Sequence, residues 1–260
     1  MPLSDKDLER ALTAARVSED TLGARVRILL EDARKDIVAE IGANPVVWRI
    51  QFLNELLDRI DERIIRLTAD FGRLSSEMST DAIARGLNIG QLAKPITAPT
   101  SMVTVSPQLL KSLADYRSDL LTGVTDNIRN TVTEIVRRGV LTGKTQLQVM
   151  KEIGDAVGKG RFKNLSYRAE MIFRTEFVRI GNIAGQEGML DSAKYIPGLR
   201  KKWITSLHNS RPAHIAANGQ VVLVEKPYRV DGEDLMYPLD PHGSPQNVIN
   251  CRCLSVPVIV

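Results

Sequence analysis

Apolar residues recur at helical spacing along most of the first 78 positions. Ser4 reads as an N-cap, with Leu8, Leu12 and Ala15 following on one face. Leu22, Val26, Leu29, Leu30, Ile37, Val38 and Ile41 continue the stripe. Gly42-Ala43-Asn44-Pro45 predicts a break: Gly42 suits a left-handed C-cap, Asn44 an N-cap, and Pro45 the first position of a new helix. Beyond it, Leu53, Leu57, Ile60, Ile64, Leu67 and Phe71 are separated by steps of four and three, a seam with a period of about 3.5 residues. Asp58, Arg59, Asp61, Glu62, Arg63 and Arg66 between them form a solvated face. The seam covers fewer than three heptads, which favours packing within one helical hairpin. Self-association of two chains through this region is the alternative.

From Gly86 to Pro107 the pattern loosens. Gly86, Gly90, Pro95, Pro99 and Pro107 with few charges predict a connector, and Met102–Val105 a short strand within it. Ser106-Pro107 restarts a helix through Leu109, Leu110, Leu113 and Leu121. Gly123 is read as an interruption, and Ile128, Val132, Ile135 and Val136 as a further helix ending near Gly139. Thr142–Thr145 is a turn and cap before Leu147, Met150, Ile153 and Val157. A basic loop at 158–163 leads into a long helix from about Leu165 to Met189. The last 60 residues alternate short strand-like runs (201–206, 221–224, 254–260) with turns rich in Gly and Pro. The expected fold class is α+β. It comprises a helical region over 1–85, a connector over 86–106, a helical middle over 107–195, and a small irregular β-containing module over 196–260.

Composition narrows the class. The 260 residues are 43% hydrophobic and 25% charged, as in globular proteins, and no apolar run approaches the roughly 20 residues that span a bilayer. The amino-terminal stretch is charged, so the expectation is a protein made and used in a cytosol, with no membrane partner. Net charge is only +4, but it is unevenly spread: residues 137–202 hold 14 Lys/Arg against 6 Asp/Glu. Lys159, Arg161, Lys163 and Arg168 in that segment are candidates for non-specific contact with duplex DNA, by backbone electrostatics alone.

The candidate chemistry clusters at the end of the chain. All three histidines and both cysteines fall within 46 residues. In a strand Cys251 and Cys253 share a face, and with His214 and His242 they would supply the tetrahedral N/S set that zinc prefers; His208 is an alternative histidine. The other reading is that the cysteines are small buried apolar residues. A disulfide between them would close a small strained ring. Arg174 and Glu176 sit two apart in an apolar helix. They therefore face different ways, and each must find a partner elsewhere, in the manner of a buried network. Phosphate-loop, nucleophile-elbow, metalloprotease and dinucleotide motifs are absent. No organic cofactor is expected, and zinc is the one cofactor the residues allow.

Seven segments in order carry a resemblance: GKTQLQVMKEIGDAV, RAEMIFRTEFVRIGNIAGQEGM, KKWITS, SRPAH, ANGQVV, MYPLDPHGSP and VINCRC. Together the series resembles the C-terminal domain of phage Mu F-like minor head (head morphogenesis) proteins over about residues 140–257. The resemblance implies a virion structural protein, not an enzyme. It would associate with the portal vertex and other head proteins, with contact to packaged DNA, and pass through the host cytoplasm during assembly. Matching motif positions are Arg174, Thr175, Glu176, Asn182, Trp203, Arg211, His214, Gly219, Gln220, Asn250, Cys251, Arg252 and Cys253, for which the family implies structural roles. Leu207–Arg211 departs from the pattern: it is one residue shorter and lacks an acidic residue and an arginine. Any chemistry those groups serve in the family is doubtful here. A zinc-binding enzyme or nucleic-acid-binding module built on the His/Cys cluster is the rival expectation.

Overall fold

The computed structural model describes residues 5–43, 50–95, 98, 103–158, 161–206 and 210–259; at 5–8, 11, 12, 15, 50, 157, 158 and 161–165 it describes the backbone alone. Five long helices come first: α1 (Asp5–Gly42), α2 (Leu53–Gly90), α3 (Pro107–Leu141), α4 (Gln146–Gly158) and α5 (Arg161–Ala193). Short elements follow: β1 (Arg200–Ile204), α6 (Pro212–Ala217), β2 (Val221–Leu223), β3 (Tyr228–Val230), β4 (Glu233–Leu235), α7 (Pro245–Val248) and β5 (Leu254–Val258). This is a mostly helical α+β fold with small antiparallel sheets near the C-terminus, as expected.

Helix starts follow local chemistry. Ser106 Oγ accepts the Leu109 amide at 3.3 Å ahead of Pro107, so α3 begins with a side-chain cap and a proline at its first position. At α4, Gln148 Oε1 accepts the Thr145 amide (2.8 Å) while Thr145 Oγ1 accepts the Gln148 amide (3.3 Å), a reciprocal capping box. Gly143, with φ +70°, takes the left-handed turn after α3 that a Cβ would resist. Helix α1 ends at Gly42 as the break predicts, although Gly42 itself is still helical; Asn44 and Pro45 lie outside the described residues.

The chain divides into two compact units. One comprises residues 22–75 and 115–172, the other 1–21, 76–114 and 173–260. Helices α1, α2, α3 and α5 each give residues to both, because a helix of 33 residues or more outruns the core of either. In the first unit the seam of α2 is internal. Ile60, Ile64, Leu67 and Phe71 are buried along with Ile37 and Ile41 of α1 and Val124, Ile128 and Val132 of α3. Arg63 pairs with Glu40, and Arg129 with Asp61. This stripe is therefore covered within the chain. Gly123 does not interrupt α3, since the burial of Leu121, Val124 and Ile128 beside it outweighs the roughly 1 kcal/mol that a helical glycine costs.

In the second unit, α2 runs on to Gly90, four residues beyond the start of the expected connector. Gly86 and Gly90 are contact residues rather than breakers. A Cβ at Gly86 would lie 2.1 Å from the Gly181 carbonyl oxygen, and one at Gly90 2.2 Å from that of Gly185, so α2 and α5 touch backbone to backbone. Val103–Val105 forms no strand.

The terminal module is a three-stranded antiparallel sheet, order β2-β1-β5, with a separate β3-β4 hairpin. Register runs from Arg200↔Val258 to Ile204↔Leu254 on one side of β1 and from Arg200↔Leu223 to Lys202↔Val221 on the other. Asp231 (φ 50°) and Gly232 (φ 78°) make the two-residue hairpin turn that a right-handed strand twist favours. Pro257 is tolerated because β5 is an edge strand.

The inward face of β1 is Lys201 and Trp203, both fully buried. Lys201 Nζ donates to the Met236 carbonyl (2.6 Å) and Gln186 Oε1 (3.1 Å), and lies 5.1 Å above the Tyr228 ring. Burial lowers its pKa from 10.5 to about 8. The unfolded chain then binds the extra proton between those values, so this lysine's contribution to stability increases with pH across that window. The expected rise in unfolding free energy, relative to Lys201→Met, is about 3 kcal/mol between pH 8 and pH 10.5. Denaturant titrations of both proteins at the two pH values check it, and a pH-independent difference would contradict it.

Candidate metal centre

Two short helices, each begun by a proline, carry the first half of the site. Pro212 opens α6 and places His214 inward; Pro245 opens α7 and places Asn247 inward. The second half is the segment 250–253. Asn250 adopts φ +58°, a left-handed conformation that asparagine tolerates better than most residues. Helix α5 holds it there: Thr175 Oγ1 accepts the Asn250 amide at 2.9 Å, and Arg174 Nη1 donates to Asn250 Oδ1 at 3.2 Å. Two helical turns further, Asn182 acts as a surrogate strand. Its Nδ2 donates to the Cys253 carbonyl (3.1 Å) and its Oδ1 accepts the Ser255 amide (3.2 Å). Arg211 ties the other flank by donating to the Ile249 carbonyl.

Held this way, both sulfurs meet the same ring nitrogen. His214 Nδ1 is 3.5 Å from Cys251 Sγ and 3.4 Å from Cys253 Sγ, and the three ligand atoms lie within 4.8 Å of one another. His214 Nε2 lies 3.3 Å from Asn247 Oδ1. The Glu233 carboxylate beside α7 accepts the Ser244 amide at 2.9 Å, which holds it below the usual range, while the buried Asn247 amide nitrogen has no hydrogen-bond partner among the described residues. With Asn247 Oδ1 as the acceptor of the Nε2 proton, the Nδ1 lone pair faces the sulfurs. Trp203 packs edge-on to the imidazole (5.7 Å between centroids) and to Tyr228 (5.2 Å), whose hydroxyl lies 2.7 Å from Ser255 Oγ.

The thiols are unlike one another. The contact from Cys253, then His214 beside it, holds Cys251 below the usual thiol range despite burial. Cys253 is pushed up, by sharing with Cys251 and then by burial. Thiol, imidazole and amide in this order also describe a cysteine nucleophile with its base and orienting group. Access argues against that use: Cys251 and Cys253 are 3% and 1% exposed. A cavity of about 210 Å³ in this unit is lined by Arg252 and Leu254, between and beyond the cysteines, but by neither thiol.

Several expectations change. His242 is not part of the centre: its side chain is 91% exposed and its Nδ1 bonds the buried Asp240 at 2.8 Å, in a turn where Asp240 also accepts the Met236 and His242 amides. Turn geometry points the ring to solvent, which spacing alone did not reveal. Cys251 and Cys253 precede β5 rather than lying in a strand, yet they still converge. His208 lies outside the described residues. Of the four DNA candidates, Arg168 is exposed on α5, Lys159 lies outside the described residues, and Arg161 and Lys163 are described in backbone only. Arg174 finds its partner in Glu19 of α1 (2.7 Å), which also meets Arg252 (2.6 Å). Glu176 pairs three residues along its own helix with Arg179, at 2.5 Å.

The remaining motif residues shape the sheet. Gly219 (φ +82°) donates its amide to the Trp203 carbonyl, and Gln220 spans to β3 through both its amide atoms and the Arg229 backbone. Asn247 was invisible to motif reading, since neither residue type nor spacing marks an amide that orients a histidine. Among the described residues no helix is long and apolar enough to cross a membrane. No protein-family model, curated protein or solved structure matches the chain.

Proposed function

We propose that this chain is a structural protein of a tailed-bacteriophage head, a minor head protein bound at the portal vertex, acting by holding other proteins rather than by turning over a substrate. One observation supports the reading most: the residues that carry the resemblance are bonded to one another. Arg174, Thr175, Asn182 and Arg211 all bind residues 249–255, and Gly219 and Gln220 pin the neighbouring strands. Side chains engaged in this way build a shape. The buried thiols and imidazole are consistent with the same use. Association with packaged DNA belongs to this proposal through the basic segment 137–202, and predicts retention that weakens steeply with salt. The α2 seam is internal, so any pairing of copies would use another surface.

The deciding experiment is co-purification. The portal protein encoded in the same genome should carry this chain with it from procapsids and from virions. Portal-containing particles that lack the chain would overturn the assignment.

A further inference from the structure

We propose that His214 Nδ1, Cys251 Sγ and Cys253 Sγ bind one zinc ion that staples α6 to the segment leading into β5. The inference is independent of the phage reading. Three Lewis-basic atoms, all buried, are turned toward one point. Tetrahedral zinc with bonds of about 2.3 Å to sulfur and about 2.0 Å to nitrogen sets sulfur–nitrogen edges of about 3.6 Å. The edges here are 3.5 and 3.4 Å. One nitrogen lone pair cannot serve two thiols at once as a hydrogen-bond acceptor, but a cation between them satisfies all three atoms.

The surroundings fit a metal site at each further level. Asn247 supplies the outer partner on the far ring nitrogen that orients a metal-ligating histidine. The Cys253 amide lies 3.4 Å from Cys251 Sγ, an N–H aimed at a thiolate. Arg174, Thr175, Asn182 and Arg211 hold the ligand segment from outside, so its geometry does not depend on the ion alone. Charge closes as well: two thiolates and a neutral imidazole cancel a divalent cation, which suits a buried site. Binding displaces the thiol protons to solvent, and the fourth coordination position is left to water or a further ligand. The soft donor set favours zinc over magnesium or calcium.

The test uses the full chain, purified under reducing conditions without chelator, then stripped and titrated with Zn²⁺ or with Co²⁺ as a spectroscopic probe. The expected result is about one metal ion per chain, with tetrahedral sulfur-ligated cobalt spectra. Zinc should slow the reaction of both thiols with a thiol reagent at least about tenfold. Asn247→Ala, which keeps all three ligands, should weaken metal affinity by about 10–100-fold. His242→Ala should leave it unchanged, and Cys251→Ser should abolish tight binding. If Cys251→Ser fails to fold, the wild-type titration and Asn247→Ala still decide. A folded wild-type chain that takes up no cobalt, thiols equally reactive with and without zinc, or affinity lost in His242→Ala would each overturn the proposal.

Discussion

Replacing Gly86 with alanine is expected to cost about 3 kcal/mol or more, at the upper end of what overpacking does to a core. The new Cβ would sit 2.1 Å from the Gly181 carbonyl oxygen and 2.7 Å from the Ala184 Cβ. Neither is the free end of a flexible side chain, so α2 and α5 must separate. Gly90→Ala repeats the problem one turn on, at 2.2 Å from the Gly185 oxygen and 2.9 Å from the Gly188 Cα. Separation would also break the Ser192 hydroxyl bond to the Gly90 carbonyl, at 3.3 Å. Against this, alanine is the better helix former by roughly 1 kcal/mol. Gly72→Ala isolates that smaller term, because Gly72 lies on the exposed face of α2 with nothing within 4 Å of a Cβ there. It should stabilise by about 0.5–1 kcal/mol. Denaturant unfolding of the three variants checks the pair of signs; a Gly86→Ala protein as stable as wild type would show that the helices do not touch here.

Arg174→Met is expected to cost about 3 kcal/mol, the penalty for leaving a buried ion without its partner. Glu19 is 6% exposed, and burial raises its pKa in spite of the arginines Arg252 and Arg174. Without Arg174, only the more exposed Arg252 remains to offset that burial, and the Asn250 side chain loses its donor as well. The sign with pH follows. A carboxyl whose folded pKa is raised costs stability when ionised, and the variant raises it further, so the deficit grows as pH climbs through the Glu19 titration and shrinks in acid. Parallel unfolding of Arg174→Met and wild type at pH 5 and pH 8 tests this. A deficit equal at both values would mean that Glu19 is not the group left uncompensated.

Glycine was the most ambiguous residue in the sequence reading. Gly42 closes α1 but stays helical, and α3 ends at Leu141, just past the expected Gly139, with Gly143 in the turn that follows. Gly86 and Gly123 read as breaks yet lie inside helices, and Gly90 is the last residue of α2. The same missing Cβ that loosens an isolated helix lets two helices meet along their backbones, and only the partner decides which effect prevails. Asp231-Gly232 is a local hairpin signal, and its positive φ values need no tertiary partner.

By itself the sequence determined the local elements: the long helices, their caps at Ser106 and Thr145, and the run of short strands at the end. It also named three of the buried residues that now face one another, because His and Cys are few and clustered. Tertiary structure decided the rest. It kept His214 and sent His242 to solvent, recruited Asn247, and paired Arg174 with Glu19. The physical reason is range. Caps and periodicity act over a few residues, so they can be read from neighbours in the chain. Burial, ion pairing and the meeting of three ligand atoms span 37 to 155 residues in sequence and exist only once the chain has packed.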